Sequence, residues 1–185
     1  MKRLRFFLFS FFCKKFILKT MADKIKKTNA MRILDGLKIK YETFSYEDDG
    51  EHELSKGAAF LTAQKLNIPV ECCFKTIVMR SNTKEIFVFC QSADSEINLK
   101  KARNACNAKE LTPVKSEELL ALTGYIRGGC SPLGMKKKYP TFIDNSALKQ
   151  GKIYISAGVR GQQIALSPED LIKATAATTV DLVLE

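Results

Sequence analysis

The chain has 185 residues, 45% hydrophobic and 27% charged, which is enough for one substantial core and excludes a disordered or fibrous protein. Its formal charge of +10 says less than it suggests, because residues 1–20 hold six basic side chains and no acid, leaving 24 basic against 20 acidic on the rest. That remainder is weak support for a polyanionic partner. Six cysteines (13, 72, 73, 90, 106 and 130) form neither CxxC pairs nor a disulfide framework, so reduced thiols in a cytoplasmic protein are expected. With His52 the only histidine, a His-rich metal site is excluded and a Cys/His zinc site is poorly supported.

The first segment, MKRLRFFLFSFFCKKFILKT, joins a basic start to an eight-residue apolar run, Phe6 to Cys13. It resembles the first two parts of a secretory signal but lacks a small-residue cleavage site. The run is also too short to cross a bilayer, which takes about 20 apolar residues. Met21 then opens MADKIKKTNAMRIL, which reads like the start of a soluble protein. Residues 1–21 are therefore expected to be an over-called start or, failing that, a signal, an organellar presequence or a membrane-surface anchor. Residues 22–185 are expected to form one domain, without repeats, linker or stable membrane partner.

Helical spacing of Ile25, Ala30, Ile33, Leu34 and Leu37 predicts a helix over 23–37, and the alternation in KYETFSY predicts a strand over 40–46. SKGAAFLTAQKL (55–66) predicts a helix with a serine cap, ended by Asn67 and Pro69. CFKTIVMR (73–80) and EIFVFCQ (85–91) are β-branched or aromatic runs separated by SNTK, the pattern of a hairpin. Helices follow at 97–106 and 115–124, the second closed by Gly124. TFID, KIYISAG and QQIALS read as strands, SPEDLIKATA (167–176) as a helix with Ser167 as cap and Pro168 in its first turn, and TTVDLVL as a last strand. This order has no strict βαβ rhythm and predicts a mixed or antiparallel α+β domain rather than a doubly wound one.

Three stretches carry candidate chemistry. In Phe74-Lys75-Thr76-Ile77-Val78-Met79, alternation puts Lys75 on the face of Cys73, Ile77 and Met79, interrupting an apolar stripe. An inward lysine of this kind either guards an edge strand against aggregation or aims a half-buried ammonium at a phosphate or carbonyl oxygen. TGYIRGGCSPLGMKKKYP (123–140) packs four glycines, two prolines and three consecutive lysines into eighteen positions. Gly128-Gly129 lets backbone amides approach a ligand, and the lysines suit phosphates, although a solvated surface turn has the same composition. The loop is neither a Walker loop nor a G-x-S-x-G elbow. A Cys130 or Ser131 nucleophile would need a base, and His52, in the polar run EDDGEHE, reads as a solvated surface histidine. The third stretch, ISAGVRG (155–161), by itself means a turn between two strands.

Taken together, FKTIV, TGYIRGGCSPLGMKKKYPTFID and KIYISAGVRGQQIAL, in this order and spacing, resemble the YbaK/EbsC family of Cys-tRNA(Pro)/Cys-tRNA deacylases over about residues 28–178. The resemblance implies a single compact α+β domain, related to the editing insertion of bacterial prolyl-tRNA synthetases, with a mixed, mostly antiparallel, barrel-like sheet and flanking helices. It implies hydrolysis of mischarged Cys-tRNA(Pro), with Cys-tRNA(Cys) as a second candidate, and no metal, cofactor or protein nucleophile. The substrate's own thiol attacks its ester, and the enzyme supplies orientation. Ala-tRNA(Pro) as substrate, or a non-catalytic tRNA- or synthetase-binding module of the same fold, are the alternatives. Carried over, Lys75 is the lysine required for activity, with Thr76 beside it. Tyr46 lines the pocket, Gly128, Gly129 and Ser131 belong to the loop meeting the aminoacyl end, and Ser156 and Gly158 to the second pocket loop. Lys136, Lys137 and Lys138 would lie where tRNA phosphates pass, and prolyl-tRNA synthetase is the implied protein partner. Gln163 departs from an acidic residue frequent in the family, and residues 47–60 match it poorly.

Overall fold

Alternation along one hairpin organises the molecule. In the computed structural model, which describes residues 26–48 and 57–184, β2 (Phe74–Ser81) and β3 (Ile86–Ser92) pair antiparallel, with Lys75 opposite Gln91 and Val78 opposite Val88. Their even and odd positions feed different cores. Phe74, Val78, Val88 and Cys90 belong to one apolar cluster with Leu34, Ile143, Ile155, Ile164 and Leu171, while Met79, Phe87 and Phe89 join Ala102, Phe142 and Leu182 in another. Phe89 stacks on Phe142 with ring centroids 5.3 Å apart. Each fully buried large side chain of this kind contributes about 2 kcal/mol of apolar transfer free energy.

The hairpin extends into a five-stranded sheet of order β4-β2-β3-β5-β8, adding β4 (Leu111–Pro113), β5 (Thr141–Asp144) and β8 (Thr178–Val180). β4 and β3 flank β2 antiparallel, whereas β5 and β8 run parallel to their neighbours. A second, antiparallel sheet of order β1-β7-β6 combines β1 (Glu42–Ser45), β6 (Ile153–Ser156) and β7 (Gln162–Leu166). The mixed α+β class is as expected, but the sheets do not close into a barrel. They meet through an isolated Cys73–Tyr154 bridge, and β4 covers only the Met79–Ser81 end of β2, so the strand edge that closure would consume stays open.

The helices are α1 (Asn29–Gly36), α2 (Ala58–Leu66), α3 (Leu99–Cys106), α4 (Ser116–Thr123) and α5 (Pro168–Thr175). α1 begins later than apolar spacing predicts because Thr28 takes the cap, its side chain accepting from Met31 N. Ser167 caps α5 as expected, accepting from Asp170 N, with Pro168 in the first turn. Gly124 ends α4 at φ +83°, a left-handed conformation glycine adopts without strain. The Ser55 cap, His52 and the 1–21 leader lie outside the described residues. Periodicity missed β4, which is only three residues long, and carried β8 too far: the ladder stops at Val180, and beyond it the chain is held by an isolated Ile97–Val183 bridge and by backbone hydrogen bonds of Leu182 and Leu184 to Asn98 and Glu96. Between β5 and a short 3-10 turn, Asp144 is buried, accepting from Ser146 N at 2.9 Å and Leu182 N at 2.7 Å.

Candidate active site

Six consecutive residues of β2 and its approach, Cys73 to Val78, line one cleft of about 1040 Å³. An extended strand sends successive side chains to opposite faces, so this lining requires the cleft to wrap around the strand's edge, and the uncovered outer edge of β2 is that place. On one face Thr76 looks toward Cys90, with Sγ 3.9 Å from its hydroxyl. Ser156 and its cross-strand partner Gln163, together with Gly128, Arg127 and Cys130, complete the wall around that side. On the other face Lys75, Gln91 and the turn from Ala93 to Ile97 form a second wall. Tyr46 lies at the rim, half-buried, with the Lys65 ammonium 5.8 Å from its ring centroid and its backbone N donating to Gly161 O.

Lys75 occupies the face alternation predicts, and its chemistry follows from its surroundings. Its Nζ donates to Ser95 O at 2.6 Å. Burial pushes the proton affinity of the ammonium down, and the carboxylates of Glu96 and Asp94 oppose that push. The result is a half-buried cation held beside an open cleft.

The thiols behave differently. Cys130 lines the cleft, and burial pushes its thiol up to about 12, as it does for Cys73. A thiol so raised is protonated at neutral pH and is a poor nucleophile. Among the described residues no three His, Cys, Asp or Glu side chains are grouped to hold a metal ion.

Of the eight residues singled out in the sequence, the cleft gathers Tyr46, Lys75, Thr76, Gly128 and Ser156. Gly129, Ser131 and Gly158 stand behind it. A Cβ on Gly129 would come within 3.1 Å of Arg160 N, so the first glycine loop packs backbone to backbone on the second. Gly158, at φ +96°, would drive a Cβ to 2.8 Å from the Tyr125 ring. Ser131 is fully buried, and its Oγ accepts from Leu133 N. Ser156 Oγ likewise accepts from Gly158 N, closing its own turn. Lys136 is drawn back onto the end of α4, donating to Leu120 O and Ala121 O, while Lys137 and Lys138 are exposed and do not line the cleft. The arginine at the cleft is Arg127, whose carbonyl accepts from Arg160 Nε.

Sequence reasoning missed Arg127, Gln91 and the Ser95 carbonyl. The hairpin register was the available signal for Gln91, since pairing across the SNTK turn brings it opposite Lys75. Nothing in residue type marks the carbonyl of Ser95.

The site is thus a lysine-lined cleft at an open strand edge, backed by two interlocked glycine loops on a mixed α+β fold. The chain belongs to the aminoacyl-tRNA editing domain family, whose profile matches residues 58–174. Its relatives include a protein of Enterococcus faecalis (strain ATCC 700802 / V583) named "Putative Cys-tRNA(Pro)/Cys-tRNA(Cys) deacylase EbsC", 37% identical over 150 residues that span 81% of this chain and 89% of the relative. A 64-residue stretch, 35% of this chain, is 38% identical to the proline–tRNA ligase of Campylobacter fetus subsp. fetus and spans 11% of that enzyme. A crystal structure described as "a putative trans-editing enzyme for prolyl tRNA synthetase" superposes with a TM-score of 0.70 over 86% of this chain and 99% of the other, at 21% identity, which speaks for the fold alone.

Proposed function

We propose that this protein is an aminoacyl-tRNA deacylase acting in trans, with mischarged Cys-tRNA(Pro) as its substrate. The observation that carries the reading is the cleft itself, where a half-buried Lys75 ammonium and the Gly128 loop face one space while the two cysteines that line it, Cys73 and Cys130, are held protonated. Such a space suits a substrate that brings its own nucleophile. The volume is at the upper end of the range for small-ligand sites and admits a terminal adenosine carrying its amino acid.

In the proposed reaction the substrate's cysteine sulfur attacks its own ester carbonyl. A carbon–sulfur bond forms, the carbon–oxygen bond to the tRNA 3′ end breaks, and the released oxygen takes a proton. The cyclic thioester then opens in water. Lys75, with Thr76 beside it, orients the terminal nucleotide and offsets negative charge, and the Gly128 loop borders the aminoacyl end. Orientation of two groups on one molecule supplies several kcal/mol, on the order of 7 in well-aligned cases. No metal is needed, which a chelation control checks. Prolyl-tRNA synthetase is the proposed partner, and the cytoplasm the proposed compartment; no helix among the described residues is long and apolar enough to cross a membrane.

A deacylation panel of Cys-, Ala-, Ser- and Pro-tRNA(Pro) tests this, run with the native protein and Lys75→Ala. Rapid loss of cysteine from the native protein's reaction alone is expected. Equal, background-level rates for both proteins on all four substrates would contradict it.

A further inference from the structure

Gln91 sits on β3 directly across from Lys75 and is fully buried. Its Nε2 donates to Ser95 O at 2.9 Å, the same carbonyl oxygen that accepts from Lys75 Nζ at 2.6 Å. Its Oε1 is buried with no hydrogen-bond partner among the described residues. An unmet buried acceptor is destabilising, and an apolar side chain of similar volume would fill the same place without it. Packing therefore does not account for an amide here. Its effect is on the Ser95 carbonyl: the turn is anchored at its two ends, by Ala93 N to Cys73 O and by Leu184 N to Glu96 O, and at Ser95 itself by a long 3.4 Å contact from Ser95 N to Ser92 O and by Ser95 Oγ to Asp94 Oδ1, while the Ser95 carbonyl accepts from Gln91 and Lys75. Asp94 and Glu96, the carboxylates that act on Lys75, flank Ser95 in the same turn.

We propose that Gln91 is a positioning residue for Lys75: by fixing the Ser95 carbonyl it keeps the ammonium directed along the cleft instead of pairing with Asp94 or Glu96. The assignment rests on the deacylase reading for its consequence in catalysis, but the positioning itself is measurable without turnover.

The test uses Gln91→Leu and Gln91→Met, two variants that keep the volume and remove both the donor and the orphaned acceptor. The first readout is the rate at which an amine-acetylating reagent labels Lys75 in the full chain, read by peptide mass with exposed Lys137 and Lys138 as internal references. At least a threefold change in relative labelling is expected in both variants. The second is steady-state deacylation, where kcat is expected to fall about tenfold with KM within twofold, and the melting temperature to stay level or rise. Unchanged labelling in both variants overturns the proposal, as does altered labelling with kcat unchanged in an active native enzyme, or a loss of kcat that tracks a fall in melting temperature. Should labelling change while the native protein deacylates no mischarged tRNA, the positioning stands and the deacylase reading alone fails.

Discussion

The two walls of the cleft are built on different principles. On the glycine-loop side, Gly129 and Gly158 are spent on contact between backbones and an aromatic ring, and the hydroxyls of Ser131 and Ser156 close local turns. On the β2–β3 side a single cation is drawn into partial burial and tethered to one carbonyl. The stretch that stands out most in the sequence thus shapes the space, and a less conspicuous strand charges it. Substitutions on the first wall should act on stability and those on the second on rate.

The largest expected effect is on the charged wall. Lys75→Met should lower single-turnover deacylation by about 100-fold, the scale on which loss of one preorganised donor registers. Its melting temperature should hold or rise, because burial disfavours the ammonium in the folded state. The sign of that shift also fixes a pH dependence. The ammonium is present at neutral pH and is lost as pH climbs through a value below that of an ordinary lysine, so enzyme-dependent deacylation should decline on the alkaline side before free lysines titrate. A pH–rate profile corrected for uncatalysed hydrolysis measures this, and Lys75→Met should lack that limb.

On the packed wall, Gly134→Ala would bring a Cβ to 2.7 Å from Tyr125 Oη at φ +73°. A loss of about 3 kcal/mol in chemical denaturation is expected, from overpacking plus backbone strain, with kcat per folded molecule retained. Ser131→Ala should be milder, about 1 kcal/mol for one buried hydrogen bond. A fall in its kcat beyond twofold would instead bring that hydroxyl back into contact with substrate and blur the contrast between the walls. The smallest change is expected at Cys130→Ser, with kcat within twofold of the native protein, since a thiol pushed up to about 12 has no thiolate to lose.

Much of this was legible before any coordinates. Period-two alternation in FKTIVM named the face of Lys75, and the hairpin turn, the Ser167 cap and the Gly124 stop all follow from local chemistry that tertiary context does not override. The glycine loops marked the neighbourhood of the site but not which residues touch the cleft, because a glycine needed for close packing and one needed for ligand approach look the same in sequence. The open sheet was not legible either, as closure depends on whether β6 pairs along β2, and one bridge at Cys73 decides it. Gln91 ends an apolar run, and its orphaned oxygen appears only once β3 and the following turn are folded together.

The most direct measurement compares single-turnover deacylation of cysteinyl-tRNA(Pro) with that of its S-methylcysteinyl counterpart, whose sulfur can no longer form the ring. The proposed chemistry requires the first to be cleared rapidly and the second to persist at its uncatalysed rate. Equal enzymatic rates on both substrates, with or without an acyl group trapped on the protein, would contradict it.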